Sequence, residues 1–305
     1  MTRVLTTMLL GFTVTRPLAA QEARVQTTAV DPLVDTEWLM ERASDPNVVV
    51  LHVGSPNDFR EEHVAGSRLL QLSDISWDGE EGWGVEFREP DEIIENLRTL
   101  GVGRTSSVVL YGPRMTSTAR AWVTFDFLGL GDRAFLLDGG MDAWRAAGGA
   151  IESGDAPTPE RGDVGAGPSV DFRVTAEWLR DRLYDEALAI LDARPDDEYT
   201  GADGGLGGQA NPGHVPGAVQ LYWEELMDPG NPNRFLPQDE LRAILMAHGA
   251  GPEKTHVSYC MVGLRASVDY LAARMMGWDV LLYDGSWRNW GTRDDLPTVT
   301  GVNPR

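Results

Sequence analysis

Apolar residues fall into two alternating rhythms from Val30 onward. Short apolar runs, Val48 to Val53, Ser107 to Tyr111 and Phe135 to Leu137, read as strands. Segments with apolar positions three and four apart read as helices: one opening at Thr36-Glu37-Trp38-Leu39, one over 91–100, one around 118–128. A turn carries Asp58-Phe59, ahead of His63-Val64-Ala65-Gly66-Ser67. Strands alternating with amphipathic helices predict an α/β fold, a mostly parallel sheet flanked by helices. Residues 151–170 are rich in Gly, Pro and Asp, carry no period, and read as a linker.

Past the linker the same order returns. Val174 to Leu179 answers Val34 to Leu39 at an offset of 140, and Glu198-Tyr199 answers Asp58-Phe59 at the same offset. The run Ala189 to Arg194 answers the strand at Val50, and His214-Val215-Pro216-Gly217-Ala218 answers His63 to Ser67. Val257-Ser258-Tyr259-Cys260 aligns with Val109-Leu110-Tyr111-Gly112 at an offset of 148. Tyr283-Asp284-Gly285-Ser286 and Trp290 align with Leu137-Asp138-Gly139-Gly140 and Trp144 at 146. Six correspondences in one order indicate a tandem duplication, with domains at 30–150 and 171–300.

The duplication isolates one residue. Cys260 is the only cysteine among 305 residues, and the first copy holds Gly112 in its place. After it, Val268, Leu271, Ala272, Met275 and Met276 predict a helix starting near Arg265. The loop thus lies at a helix's positive end, where backbone N–H groups can favour a thiolate and hold an anion. Gly263 allows the backbone to curl, and Arg265 either binds an anionic group or ties the loop to a carboxylate. Asp192 and Arg194 end a strand, where α/β sheets place ligands. Arg194 could equally form an ion pair with Asp192 or Glu198. His214 reads as structural, because His63 persists in the copy without a thiol. Trp287 and Trp290 read as packing residues. Neither His52 nor His256 belongs to a metal-ligand spacing, and no cofactor is called for.

Composition narrows the partners. With 26 basic and 47 acidic residues the formal charge is -21, which opposes nucleic-acid binding and adhesion to anionic membranes. No run is apolar for long enough to cross a bilayer. Residues 1–20 place Arg3 before the apolar run Val4 to Val14 and end in Pro17-Leu18-Ala19-Ala20, the layout of a signal peptide cleaved after Ala20. The expectation is therefore an exported protein, periplasmic or extracellular. One cysteine excludes an intramolecular disulfide, and a lone thiol kept in an oxidising compartment has a use there.

The combination of Asp192-Ala193-Arg194, Glu198-Tyr199, Gly213 to Ala218, Tyr259-Cys260 and Asp284-Gly285-Ser286-Trp287, set in a duplicated chain, resembles the tandem-domain rhodanese sulfurtransferases. The resemblance implies two rhodanese-like domains, the second catalytic, with Cys260 heading the six-residue loop that ends at Arg265. It further implies a small-molecule sulfur donor, thiosulfate or 3-mercaptopyruvate, a thiol or cyanide-like acceptor, and a monomer. Cys260 would carry a persulfide between two displacements. Arg194, Arg265, Met261, Val262, Gly263 and Leu264 are the residues expected at the donor. The loop departs from both donor patterns. Thiosulfate-preferring relatives carry basic residues after the cysteine, where Met261 and Val262 stand here, and mercaptopyruvate-preferring ones end in Gly-Val-Thr instead of Gly263-Leu264-Arg265. Two rivals stand beside this reading. A persulfide carrier for a partner protein would use the same thiol. A Cys-dependent phosphatase would need a loop one residue longer before its arginine.

Overall fold

The computed structural model describes residues 28–77, 85–155, 158–168, 171–203 and 211–304. The expected leader, residues 1–20, lies outside them. In the first half five parallel strands form one sheet in the order Leu33–Val34, Ala134–Leu137, Ser107–Tyr111, Val48–Val53, Arg68–Leu70. The second half builds Val280–Leu282, Thr255–Tyr259, Leu188–Asp192, Val219–Gln220, also parallel throughout. A parallel bridge from Arg173 to Leu282 supplies the place of a fifth strand. It matches the Leu33 to Leu136 pairing at offsets of 140 and 146. Both sheets therefore share one strand order, and the site-bearing strand Thr255–Tyr259 is interior, its ends fixed by neighbours on both sides.

The duplication extends to side chains. Phe59 stacks on His63 with ring centroids 3.8 Å apart, and Tyr199 stacks on His214 at the same 3.8 Å. In each pair the histidine Nδ1 meets the carbonyl four or fifteen residues back, Phe59 at 2.7 Å and Tyr199 at 2.9 Å. Tyr111 Oη accepts from the Val64 N–H as Tyr259 Oη accepts from that of Val215. His214 thus does the same structural work as His63. Burial, foremost, pulls its pKa below the ordinary value.

One element departs from expectation. The turn at Asp58-Phe59 is a helix, Pro56–Glu61. Ser55 Oγ accepts from the Asp58 N–H while the Asp58 carboxylate accepts from the Ser55 N–H, a capping box with Pro56 in the first turn. Its counterpart is Asp196–Thr200. The linker is not loose either. Ile151–Glu152 pairs antiparallel with His63–Val64, and Val164 is buried, its N–H bonded to the Val102 carbonyl.

The halves share a core. The helix Met115–Phe127 of the first packs on Ala266–Met275 of the second. Phe172 bridges them, against Phe127 on one side and Tyr270 on the other. Tyr270 Oη and the Arg274 guanidinium both donate to Asp126 across the seam.

Candidate functional site

Cys260 follows directly on the strand Thr255–Tyr259, and the helix Ala266–Met275 begins six residues later. Gly263 turns the chain between them. Its φ of +88° lies in the left-handed region, which favours glycine, and its N–H donates to Cys260 Sγ at 3.2 Å. Ser267 Oγ secures the turn through the Gly263 carbonyl at 2.8 Å. A second turn grips the loop from below. Ser286 Oγ accepts from the Cys260 N–H at 3.3 Å, and the N–H groups of Trp287 and Arg288 donate to the carbonyls of Cys260 and Met261. Ser286 has φ of +54°, a strained value for a residue with a side chain, and its first-half counterpart is Gly140 at +59°. Serine there gives the loop a hydroxyl that Gly140 does not offer the first half.

The first half has no room for the same chemistry. From Gly112 the helix Met115–Phe127 starts after three residues, not six. A Cβ on Gly112 would stand 2.2 Å from the Val53 carbonyl oxygen, far inside contact distance. The position excludes any side chain, a thiol included.

The charges around Cys260 are paired. Arg265 donates both Nη groups to Glu198, at 2.9 and 2.8 Å. Desolvation works against its charge, yet the Glu198 bonds and the nearby Cys260 hold Arg265 above its ordinary pKa. Of its two expected roles, the structure shows the tie to a carboxylate. Arg194 is 1% exposed, bonded to both Asp192 oxygens and the Gly213 carbonyl, with its guanidinium over the Trp287 ring. Tyr259 Oη donates to Asp192 at 2.5 Å. Arg194 is therefore placed in a buried ion pair rather than open to a ligand. Met261 is buried in the apolar cluster of Tyr259, Tyr283 and Trp287, while Val262 and Leu264 are half-buried. Cys260 itself is out of contact with solvent, so a donor reaches it only as surrounding side chains move.

Two contributions escape sequence reasoning. Arg120, from the first half, bonds Asp284 two residues before Ser286, at 2.7 Å. Asp269 lies four residues after Arg265, one helical turn away on the same face, and is fully buried. Neither of its oxygens has a hydrogen-bond partner among the described residues. Burial first, then the proximity of Cys260, Asp192 and Glu225, push its pKa well above the carboxylate range.

A duplicated parallel fold, one buried thiol met by a backbone N–H at a helix start, and a corresponding first-half position, Gly112, closed to any side chain form a specific combination. The model of the rhodanese-like domain matches residues 35–147 and again 175–293. The chain belongs to the rhodanese family. It is 32% identical over 284 residues to a probable 3-mercaptopyruvate sulfurtransferase of Pseudomonas aeruginosa, covering 88% of this chain and 98% of that protein. It is 30% identical over 268 residues to a thiosulfate sulfurtransferase of Azotobacter vinelandii, covering 87% and 96%. A solved structure of EanB with ergothioneine superposes with a TM-score of 0.80 at 25% identity, over 89% of this chain and 70% of that one. The tandem rhodanese arrangement identifies a sulfurtransferase.

Proposed function

We propose that this rhodanese moves a sulfur atom to a thiophilic acceptor through a persulfide on Cys260, taking it from thiosulfate, or from 3-mercaptopyruvate by breaking the C–S bond with its electron pair leaving on the pyruvate enolate, which is then protonated. The observation that carries the reading is the Gly263 N–H directed at Sγ in a six-residue loop at the start of Ala266–Met275. With thiosulfate, the Cys260 thiolate attacks the outer sulfur, the S–S bond breaks, and its electron pair leaves with sulfite. The enzyme then holds Cys–S–S⁻. An acceptor thiolate or cyanide attacks the outer sulfur, and the electron pair of the second S–S bond returns to Sγ. The loop N–H groups stabilise the anion at either stage.

The side chains support sulfur rather than phosphate chemistry. Four residues separate Cys260 from Arg265, and that arginine is clamped on Glu198 instead of facing a tetrahedral anion. Recognition of the donor then falls on the backbone cradle, since Arg194 and Arg265 each hold a carboxylate. The test is turnover with each donor and cyanide as acceptor, in the wild type and Cys260→Ser. We expect product from at least one donor and none in the variant. Turnover retained by Cys260→Ser, or cleavage of an aryl phosphate that depends on Cys260, would overturn the reading. Release of the sulfur only to a protein acceptor would make the chain a carrier. We further propose that the protein is exported, on the charge and apolar layout of residues 1–20, and that the mature N-terminus is Gln21; N-terminal sequencing of the native protein checks it.

A further inference from the structure

We propose that Arg120, a residue of the half without a thiol, is a positioning residue for the Cys260 loop. The inference rests on the sulfur-transfer reading above. Arg120 projects from the helix Met115–Phe127 across the seam and is wholly buried. Its Nη1 donates to Asp284 Oδ1 at 2.7 Å, its Nη2 donates to the Val85 carbonyl, and the guanidinium lies 3.6 Å from the Phe87 ring centroid. The other Asp284 oxygen accepts the Phe87 N–H at 3.0 Å. Each Asp284 carboxylate oxygen is thus held by a donor from the first half.

That fixation bears on the thiol by two short routes. Two residues on, Ser286 Oγ takes the Cys260 N–H, and the following N–H groups hold the carbonyls of Cys260 and Met261. The pair also touches the turn that aims an N–H at the sulfur. A Cβ on Gly263 would sit 3.1 Å from Asp284 Oδ1 and 3.5 Å from Arg120 Nη1. Both supports of the cradle, the Ser286 turn beneath and the Gly263 turn beside, therefore rest against one cross-half ion pair. Losing it lets the Gly263 N–H drift from Sγ, and displacements on the order of 1 Å lower rates by up to about 100-fold.

The duplication supplies an internal control. Asp138 is the first-half counterpart of Asp284, and it too receives an arginine from the opposite half, Arg234 at 3.2 Å. The turn it precedes leads to Gly140 and carries no thiol loop. Each pair joins the halves, but only the Arg120 pair stands behind Cys260.

The experiment compares Arg120→Gln, Asp284→Asn and Arg234→Gln in the full chain. Turnover with thiosulfate and with 3-mercaptopyruvate is followed with cyanide as acceptor, and alkylation of Cys260 by iodoacetamide in parallel. Because Arg120 is buried and its guanidinium is committed to Asp284 and the Val85 carbonyl, we expect Arg120→Gln to lower kcat about tenfold or more while KM stays within about twofold. Asp284→Asn should lower kcat in the same direction, and it serves alone if Arg120→Gln does not fold. Arg234→Gln should stay within about twofold of wild type on both counts. Arg120→Gln and Asp284→Asn at wild-type kcat, or Arg234→Gln losing as much, would overturn the proposal. Wild-type protein that accepts sulfur from neither donor would refute the sulfur-transfer reading. The alkylation rates would then decide on Arg120, with equal rates in all four proteins counting against it.

Discussion

Asp269 is a carboxyl buried with no partner for either oxygen among the described residues, in a helix whose first turn borders the thiol loop. Its raised pKa means that the folded protein keeps it neutral where the unfolded chain ionises it. The sign follows. A carboxyl raised on folding costs nothing below the unfolded value, and its cost grows as pH rises above that value until the folded group also ionises. Asp269→Asn removes the titration, so the variant should match or trail wild type near pH 4 and gain on it steadily as pH rises above that value. Urea midpoints at several pH values check this. A stability difference independent of pH would mean that Asp269 is charged in the fold.

At the scale of elements, the loop from Cys260 to Arg265 combines a strand end, a left-handed glycine and a helix start into one cradle. Gly263→Ala places a side chain at φ +88° with its Cβ 3.1 Å from Asp284. Stability should fall by about 1–2 kcal/mol, and persulfide formation should slow beyond what that loss explains. Stopped-flow rates on protein shown to be folded separate the two effects. The rhythm of apolar residues already showed both sheets, the loop and the helix behind it, because period and turn residues are local properties. The six-residue helix Pro56–Glu61 was missed because it is too short to show a period, although Ser55 and Asp58 spelled its capping box. Arg194 and Arg265 were legible as residues near the thiol. Their commitment to Asp192 and Glu198 was open beforehand, since a cation at a strand end or loop end suits a ligand and a carboxylate equally well. Arg120 carried no sequence signal at all, because its partner lies 164 residues away and no local pattern encodes a pair that distant.

For the whole molecule, both halves build the surroundings of one buried thiol. The second half contributes the thiol, and the first contributes packing and the ion pair beneath the loop. Both halves also contribute to the response to acid. Burial pulls His52 and His256, one in each half, down to about 4. A histidine depressed on folding is neutral in the fold while the unfolded chain takes up a proton, so its stability contribution is lost as pH falls from about 6.5 to the folded value. His52 has neither ring nitrogen bonded among the described residues and faces Phe59 and Tyr111 edge-on. In His52→Leu the loss of stability between pH 6.5 and 4 should shrink by roughly 3 kcal/mol, read from urea midpoints. An unchanged acid limb would place the proton uptake elsewhere.

The intact mass of the protein shows whether Cys260 carries the sulfur. After thiosulfate or 3-mercaptopyruvate is added and removed, wild-type protein should gain the mass of one sulfur atom, located to the peptide holding Cys260 and released by cyanide. Cys260→Ser should gain nothing. A sulfur adduct that persists in Cys260→Ser, or a wild type that turns over donor without ever carrying the added sulfur, would rule out Cys260 as the carrier.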